Sequence, residues 1–301
     1  LPYMEEGAMY NNVSGNTAKF QNGPFSIGFT PTGSPPTGGA WTAQNATAAN
    51  NGGHAATVVI APLICPSSGG GSTVETTASG ASQGLSYASE YATFEGQGAI
   101  GGRKVAVTNY KAMAGTHMNS ATTPIIPAAN GAIQFAPDVP VPTSLSSTPW
   151  FASRAGVSAG SISDGMSKTV MIAETKERGY SSWIDGTNCW VVAYDPNQPI
   201  PYNVNGQWST TSGSVTAISR CALSVQPSIT PLTRFLPAAS FTTGSRMAVG
   251  MAYGPSSDHQ GAIVMHAFGD THVAQVTADV DPNVYMSICS RNGGEAQTLT
   301  E

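Results

Sequence analysis

The 301-residue chain is short of charge. Asp, Glu, Lys and Arg make up 10% of it, against roughly 25% in an average soluble domain. Lys and Arg number 12, Asp and Glu 17, and the net charge is −5. So few scattered cations make no phosphate-tracking patch, which excludes nucleic-acid binding. Charge-driven disorder is excluded as well, because disordered chains are poor in aromatics and this one has 9 Phe, 5 Trp and 10 Tyr. Heptads rich in A, E, K, L and R are missing, and with them a coiled coil. No apolar run is long enough for a membrane-spanning helix, and no signal peptide is visible. The four cysteines, Cys65, Cys189, Cys221 and Cys289, form no C-x-x-C pair, so neither a zinc knuckle nor a thioredoxin-like site is indicated. A P-loop and a strand-borne G-x-G-x-x-G are also missing.

What is abundant is Ser (33), Thr (31), Gly (34) and Pro (21). Hydroxyls, glycines and little charge suit a β-rich, loop-rich protein of the kind found outside cells or in assemblies. In such a setting the four cysteines are candidates for two disulfides, in any of three pairings; the alternative is four buried thiols. The chain opens at Leu1 rather than Met and runs straight into Pro2-Tyr3-Met4-Glu5-Glu6, which reads as a truncated start.

Residues 3–13 read as a short helix ended by Gly15, and 15–53 as loop. Thr57–Leu63 reads as a strand, Ser67–Gly84 as an exposed loop, and Lys104–Tyr110 as a strand. Residues 121–147 are Pro-punctuated and irregular. Thr169–Glu174 is a buried strand by its β-branched run. Ser182–Tyr194 is read as a hairpin about Asp185-Gly186, and Gly261–Val276 as a second about Gly269-Asp270. Met247–Met251 is short and apolar. Asp281-Pro282 starts a helix expected to reach about Arg291, with Gly293-Gly294 as its stop. The sum is an α+β fold, a single domain over 1–301, mostly antiparallel sheet with long loops and short terminal helices.

Chemistry is harder to find. Gly156-Val-Ser158-Ala-Gly160 fits G-x-S-x-G, but Ser161-Ile162-Ser163-Asp164-Gly165 after it is a turn, not the helix a nucleophile elbow needs. His259, His266 and His272 fall close together. A two-residue turn would pair His266 with Val273 and Ala267 with His272, sending His266 and His272 to opposite faces, away from a shared metal ion. Asp164, Asp185, Asp258 and Asp270 sit in turns where calcium is conceivable, yet Asp-Gly is ordinary turn chemistry. Glu174 and Glu177 are not fixed at a glycosidase spacing. No catalytic residue, metal ligand or cofactor is assigned.

The order of several short motifs carries more. Leu1-Pro-Tyr-Met-Glu-Glu6 with Met9-Tyr10-Asn11, Cys65-Pro66-Ser67, and Thr108-Asn109-Tyr110 through Ala114-Gly115-Thr116 come first. Ile162-Ser-Asp164-Gly165-Met-Ser167-Lys168-Thr169 leads to Glu174. Ser256-Ser257-Asp258-His259-Gln-Gly261 precedes Gly269-Asp270-Thr271, and Ser290-Arg291-Asn292-Gly293-Gly294-Glu295 closes the series. In this order they resemble the domain of unknown function 1559 family, pilin-like proteins of planctomycetes. Two departures stand out. His259 and Asp270 are one residue further apart than the family's H-x9-DG, and Thr271 replaces its Gly. Lys168 stands where Asn is usual.

The resemblance implies a prepilin-type amino-terminal helix upstream of Leu1, which would be the only membrane contact, before assembly. It implies export and a pilin- or pseudopilin-like head. The motif residues Asn109, Tyr110, Asp164, Gly165, Ser167, Thr169, Glu174, His259, Gly269 and Asp270 are then folding grammar: Asp164-Gly165 a tight turn before the core strand, Tyr110 and Trp183 core anchors, His259 bonded to a backbone carbonyl. The expected function is a non-enzymatic, extracellular structural subunit of a surface filament or other homopolymer, with identical copies, and glycans on its loops, as partners. The rival expectation is a monomeric cell-surface module binding carbohydrate or calcium, with Trp41, Trp150 or Trp208 on an exposed flat face.

Overall fold

The computed structural model describes residues 58–75, 104–119, 126–128, 130–133, 157–176, 189–194, 200–214, 216–223 and 254–295, with Met4, Glu6, Gly7, Trp183 and Leu299. The Asp185-Gly186 turn, Met247–Met251 and all but a few positions of the expected first helix lie outside the described residues.

In chain order the strands are β1 (Thr73–Glu75), β2 (Lys104–Ala106), β3 (Tyr110–Gly115), β4 (Met118–Asn119), β5 (Ile126–Pro127), β6 (Val170–Glu174), β7 (Trp190–Val192), β8 (Tyr202–Val204), β9 (Gln207–Ser209), β10 (Ile263–Phe268) and β11 (Val273–Thr277). The α-helix α1 (Pro282–Cys289) follows. The main sheet has five strands in the order β11-β10-β6-β3-β7. Its pairs are antiparallel except β3–β7. β1–β2, β4–β5 and β8–β9 are separate antiparallel pairs. The architecture is mixed α+β. Among the described residues no helix is long and apolar enough to cross a membrane.

Local chemistry explains the elements. β10 alternates, with Val264, His266 and Phe268 buried and Ile263, Met265 and Ala267 half-buried, as one packed face requires. α1 starts where Asp281 accepts the N–H groups of Asn283 (2.8 Å) and Val284 (3.2 Å), satisfying two orphan donors of the first turn. It stops at Cys289, short of the expected Arg291. Ser290 is extended, and the chain beyond finds partners elsewhere: Arg291 N–H donates to Asn130 O at 2.9 Å.

Three sequence expectations are corrected. Pro62 turns the expected strand 57–63 into a 3-10 turn over Ala61–Leu63. The expected strand 104–110 breaks into β2 and β3 because the Thr108 hydroxyl bonds both N–H and C=O of Tyr110. The expected loop 67–84 contains β1, held by β2.

The β10–β11 register is also shifted from expectation. His266 faces Ala274 and Ala267 faces Val273, while Phe268 N–H donates to His272 O at 3.0 Å. The loop is therefore Gly269-Asp270-Thr271, with Thr271 at φ 78°, the three-residue form ending in a left-handed residue. This places His272 on the same face as His266, not the opposite one. His272 stacks on Phe268 at 4.3 Å.

The core lies between the sheet and α1. Tyr285, Met286, Ile288 and Cys289 meet Met113, Val170, Ala173, Val191, Phe268 and Val276. Each large side chain buried there contributes about 1.5–3 kcal/mol. His266 is buried among them, with Nδ1 3.0 Å from Val264 O and Nε2 2.9 Å from the Tyr285 hydroxyl. A carbonyl only accepts, so Nδ1 carries the proton and the tyrosine O–H donates to Nε2. Burial lowers this imidazole to about 4, which keeps it neutral.

The opposite face is barer. Register aligns Ala112 with Ile172, Ile172 with Ala267, and Ala267 with Val273. Ile172 is 40% exposed and Val273 58%.

The disulfide expectation is not met: Cys65, Cys189, Cys221 and Cys289 are all free thiols. Two of them, Cys221 and Cys289, lie near each other without a bond. Cys221 and Cys289 belong to or pack against the core, Cys189 lies 3.8 Å from Tyr110 O, and Cys65 sits beside His259.

Candidate functional site

The site forms where β6 ends. Asn109, between β2 and β3, builds it. Its backbone bonds Leu63 O and Thr175 N–H. Its side-chain oxygen accepts Cys65 N–H at 2.9 Å, and its amide donates to Thr175 O at 2.9 Å. One asparagine thus latches the Cys65 loop to the chain leaving β6. The segment 256–259 is laid on the same chain: Ser256 N–H donates to Glu174 O at 3.0 Å, and Ser256 Oγ accepts Lys176 N–H at 3.1 Å. Ser257 Oγ accepts His259 N–H at 2.8 Å.

These latches bring three titratable side chains together. Glu174 Oε1 is 3.2 Å from His259 Nε2, and Cys65 Sγ is 3.5 Å from the same nitrogen. The other Glu174 oxygen accepts Met265 N–H at 3.2 Å. The three donor atoms lie within 4.8 Å of one another. Cys65 and Glu174 are buried, and the His259 side chain keeps 24% exposure. Burial pushes the Cys65 thiol up, and the neighbouring Glu174 pushes the same way. Burial, then the adjacent thiol and carboxylate, raise the Tyr110 phenol. Asp258 lies at the rim, 3.4 Å from Lys176 Nζ.

The chemistry of this arrangement follows from its nitrogen. A Cys–His–carboxylate relay uses one ring nitrogen for the thiol and the other for the acid. Here thiol and carboxylate converge on the same Nε2. That is the geometry of a donor set, and Cys65, Glu174 and His259 are the described residues able to hold a metal ion.

His259 was expected to bond a backbone carbonyl; its ring instead faces these two side chains. The three clustered histidines go to three places: His259 here, His266 to the core, and His272 to Asp270 at the hairpin turn. Among the described residues the Ser158 hydroxyl bonds Ser161 and no histidine. Trp208, a candidate carbohydrate platform, is buried, and its indole N–H donates to Glu295 at 2.8 Å. Trp41 and Trp150 lie outside the described residues.

The remaining motif residues meet at the other end of β6. Asp164 accepts the N–H groups of Gly293 (2.8 Å) and Gly294 (3.1 Å), so its carboxylate serves the tail rather than its own turn. Gly165 takes φ 103°, a conformation glycine adopts without strain. Ser167 lies in the 3-10 turn that follows. The Thr169 hydroxyl donates to Gly165 O at 3.0 Å, and Gly269 N–H donates to Thr169 O. Gly115, at the end of β3, is held by close approach: a Cβ there would run into Ala128 O.

Sequence reading missed Cys65 and Glu174 as partners of His259. Cys65 and His259 are 194 positions apart, and periodicity says nothing about such pairs. The available signal was that Cys65, Asn109, Glu174 and His259 each lie in the ordered series of short motifs.

No curated protein and no solved structure matches the chain. A family model does, along residues 1–283. By that match the chain belongs to the family described as protein of unknown function (DUF1559).

Proposed function

We propose that the protein is a non-enzymatic, exported structural subunit of a surface filament or other extracellular homopolymer, with a pilin- or pseudopilin-like head. One observation carries this reading. The sheet face away from α1 bears the row Ala112–Ile172–Ala267–Val273, which ends on β11. Among the described residues β11 has a paired neighbour on one side only, and its sequence Val-Ala-Gln-Val-Thr holds no charge and no proline. Monomeric proteins blunt such edges with Lys, Pro or bulges. An uncharged open edge beside an exposed apolar row suits pairing with identical copies. The low overall charge suits close packing of like subunits.

The test is electron microscopy of native cell-surface material, with mass spectrometry of the amino terminus of the same chain. Repeating filaments or sheets built of this subunit, carrying a methylated hydrophobic helix, are expected. Val273→Lys is expected to abolish the polymer while leaving a folded monomer by circular dichroism, because the side chain is exposed. Isolated particles with a soluble amino terminus, or polymers indifferent to Val273→Lys, would overturn the reading.

A further inference from the structure

The donor set at the end of β6 goes beyond a structural subunit. We propose that Cys65 Sγ, Glu174 Oε1 and His259 Nε2 bind a single Zn²⁺ ion tetrahedrally, with the fourth position open to water or a small ligand on the exposed side of His259.

Distances argue for it. Zn–S bonds of about 2.3 Å and Zn–N or Zn–O bonds of about 2.0–2.1 Å, at tetrahedral angles, set S···N edges of about 3.5 Å and N···O edges of about 3.3 Å. The protein presents 3.5 Å between Cys65 Sγ and His259 Nε2 and 3.2 Å between His259 Nε2 and Glu174 Oε1. The chemistry of the donors also selects the metal. One thiolate, one imidazole and one carboxylate form a borderline-soft set, suited to zinc and poor for Ca²⁺ or Mg²⁺, which prefer all-oxygen shells.

A plain ion pair between Glu174 and His259 accounts for the 3.2 Å contact alone. The Cys65 thiol is bonded to Glu174 as well as to His259, so each of the three donors faces the other two. A single ion at the common centre accounts for all three directions.

The supporting hydrogen bonds are in place. Metal ligands are usually oriented by outer hydrogen bonds. Met265 N–H fixes Glu174 Oε2 and so turns Oε1 inward. Asn109 fixes the Cys65 backbone. Ser257 fixes the backbone of His259. The ion would tie three segments already latched together, so it needs little rearrangement to enter. With three protein ligands the site is of the open kind rather than the closed four-ligand kind.

The test uses the full chain, stripped with chelator and then titrated with Zn²⁺, and separately with Co²⁺ as a spectroscopic probe. Expected are one equivalent of Zn²⁺ bound, a rise in melting temperature, and a Co²⁺ spectrum with a thiolate charge-transfer band and the intense visible bands of tetrahedral coordination. Cys65→Ser should erase the charge-transfer band. Glu174→Gln and His259→Gln should each weaken Zn²⁺ binding by more than the about 10–100-fold that outer-shell partners contribute. Cys189→Ser should change nothing. Should Cys65→Ser fail to fold, the Co²⁺ spectra of the wild-type and Cys189→Ser proteins carry the test. No stoichiometric uptake, an octahedral Co²⁺ spectrum without the thiolate band, or binding indifferent to all three ligand substitutions would overturn the proposal. None of these readouts depends on polymer formation, so either proposal can fail alone.

Discussion

Two carboxylates bracket strand β6 and are held in different ways. Asp164, in the turn before the strand, spends both oxygens on backbone N–H groups of Gly293 and Gly294. Glu174, its last residue, spends one oxygen on Met265 N–H and turns the other toward an imidazole and a thiol. The first arrangement is closed on fixed backbone amides, with only the Glu295 carboxyl as a titratable neighbour among the described residues. The second is open, because its partners bind protons or metals. Both residues lie in short motifs singled out in the sequence, and nothing there tells the two roles apart. The difference is what their second oxygen faces, and that separates a fold clamp from a binding site.

Substitution should split the two ends cleanly. Asp164→Ala strands two backbone donors of the tail and should cost about 2–4 kcal/mol in urea unfolding, since hydrogen bonds to a charged group contribute about 1.5–3 kcal/mol each. It should leave Zn²⁺ uptake unchanged. Glu174→Gln should do the reverse, costing about 1–2 kcal/mol while losing the ion. Equal loss of stability at both ends would erase the distinction.

A smaller effect is expected at the hairpin turn packed on the clamp end. Thr271 holds φ 78°, where a β-branched residue is strained and glycine is not. Thr271→Gly should therefore stabilise by about 0.5–1 kcal/mol, seen as a raised urea midpoint, the gain being trimmed by the greater freedom of glycine in the unfolded chain. A lower midpoint would mean that Thr271 makes contacts worth more than its strain.

A further effect depends on pH. Glu295, also at the clamp end, accepts from Trp208 and Asn203. Burial, aided by nearby Asp164, pushes its carboxyl from 4.5 to about 7. A carboxyl raised on folding favours the native state fully below its unfolded value and loses that contribution as pH climbs through the folded one. The wild-type protein should thus lose this stability between about pH 4.5 and about pH 7, and Glu295→Gln should flatten the change. Unfolding curves at about pH 5 and about pH 8 check it; equal slopes for the two proteins would remove Glu295 as the cause.

Much of the frame was legible before any coordinates. The β-branched run before Glu174 is β6. Asp281-Pro282 caps α1. The Gly269-Asp270 turn joins β10 to β11, although Thr271 at positive φ lengthened the loop by one residue and reversed which histidines share a face. The β8–β9 hairpin is signalled only by Asn205-Gly206, at φ 52° and 77°, since strands of three residues show no periodicity. The site itself was not legible. Cys65 reads as one more candidate disulfide partner, Glu174 as a strand end, and His259 as a loop residue. Asn109, which joins the Cys65 loop to the chain leaving β6, and Ser256, which lays the His259 segment on that chain, make them neighbours, and such latches leave no pattern in composition or spacing.

The order of the strands also governs how the sheet is completed during synthesis. β6 is central, with β3 on one side and β10 on the other. β3 precedes it in the chain, so half of its pairing is available early. The other edge stays bare until the segment Ile263–Phe268 has emerged, and a bare edge is a template for another chain. Once it emerges, the β10–β11 hairpin needs only local closure, on a scale of about 1–10 μs. A chain stopped before residue 263 would thus keep a naked central strand and aggregate, which makes the final stretch of the protein the latch on its own sheet.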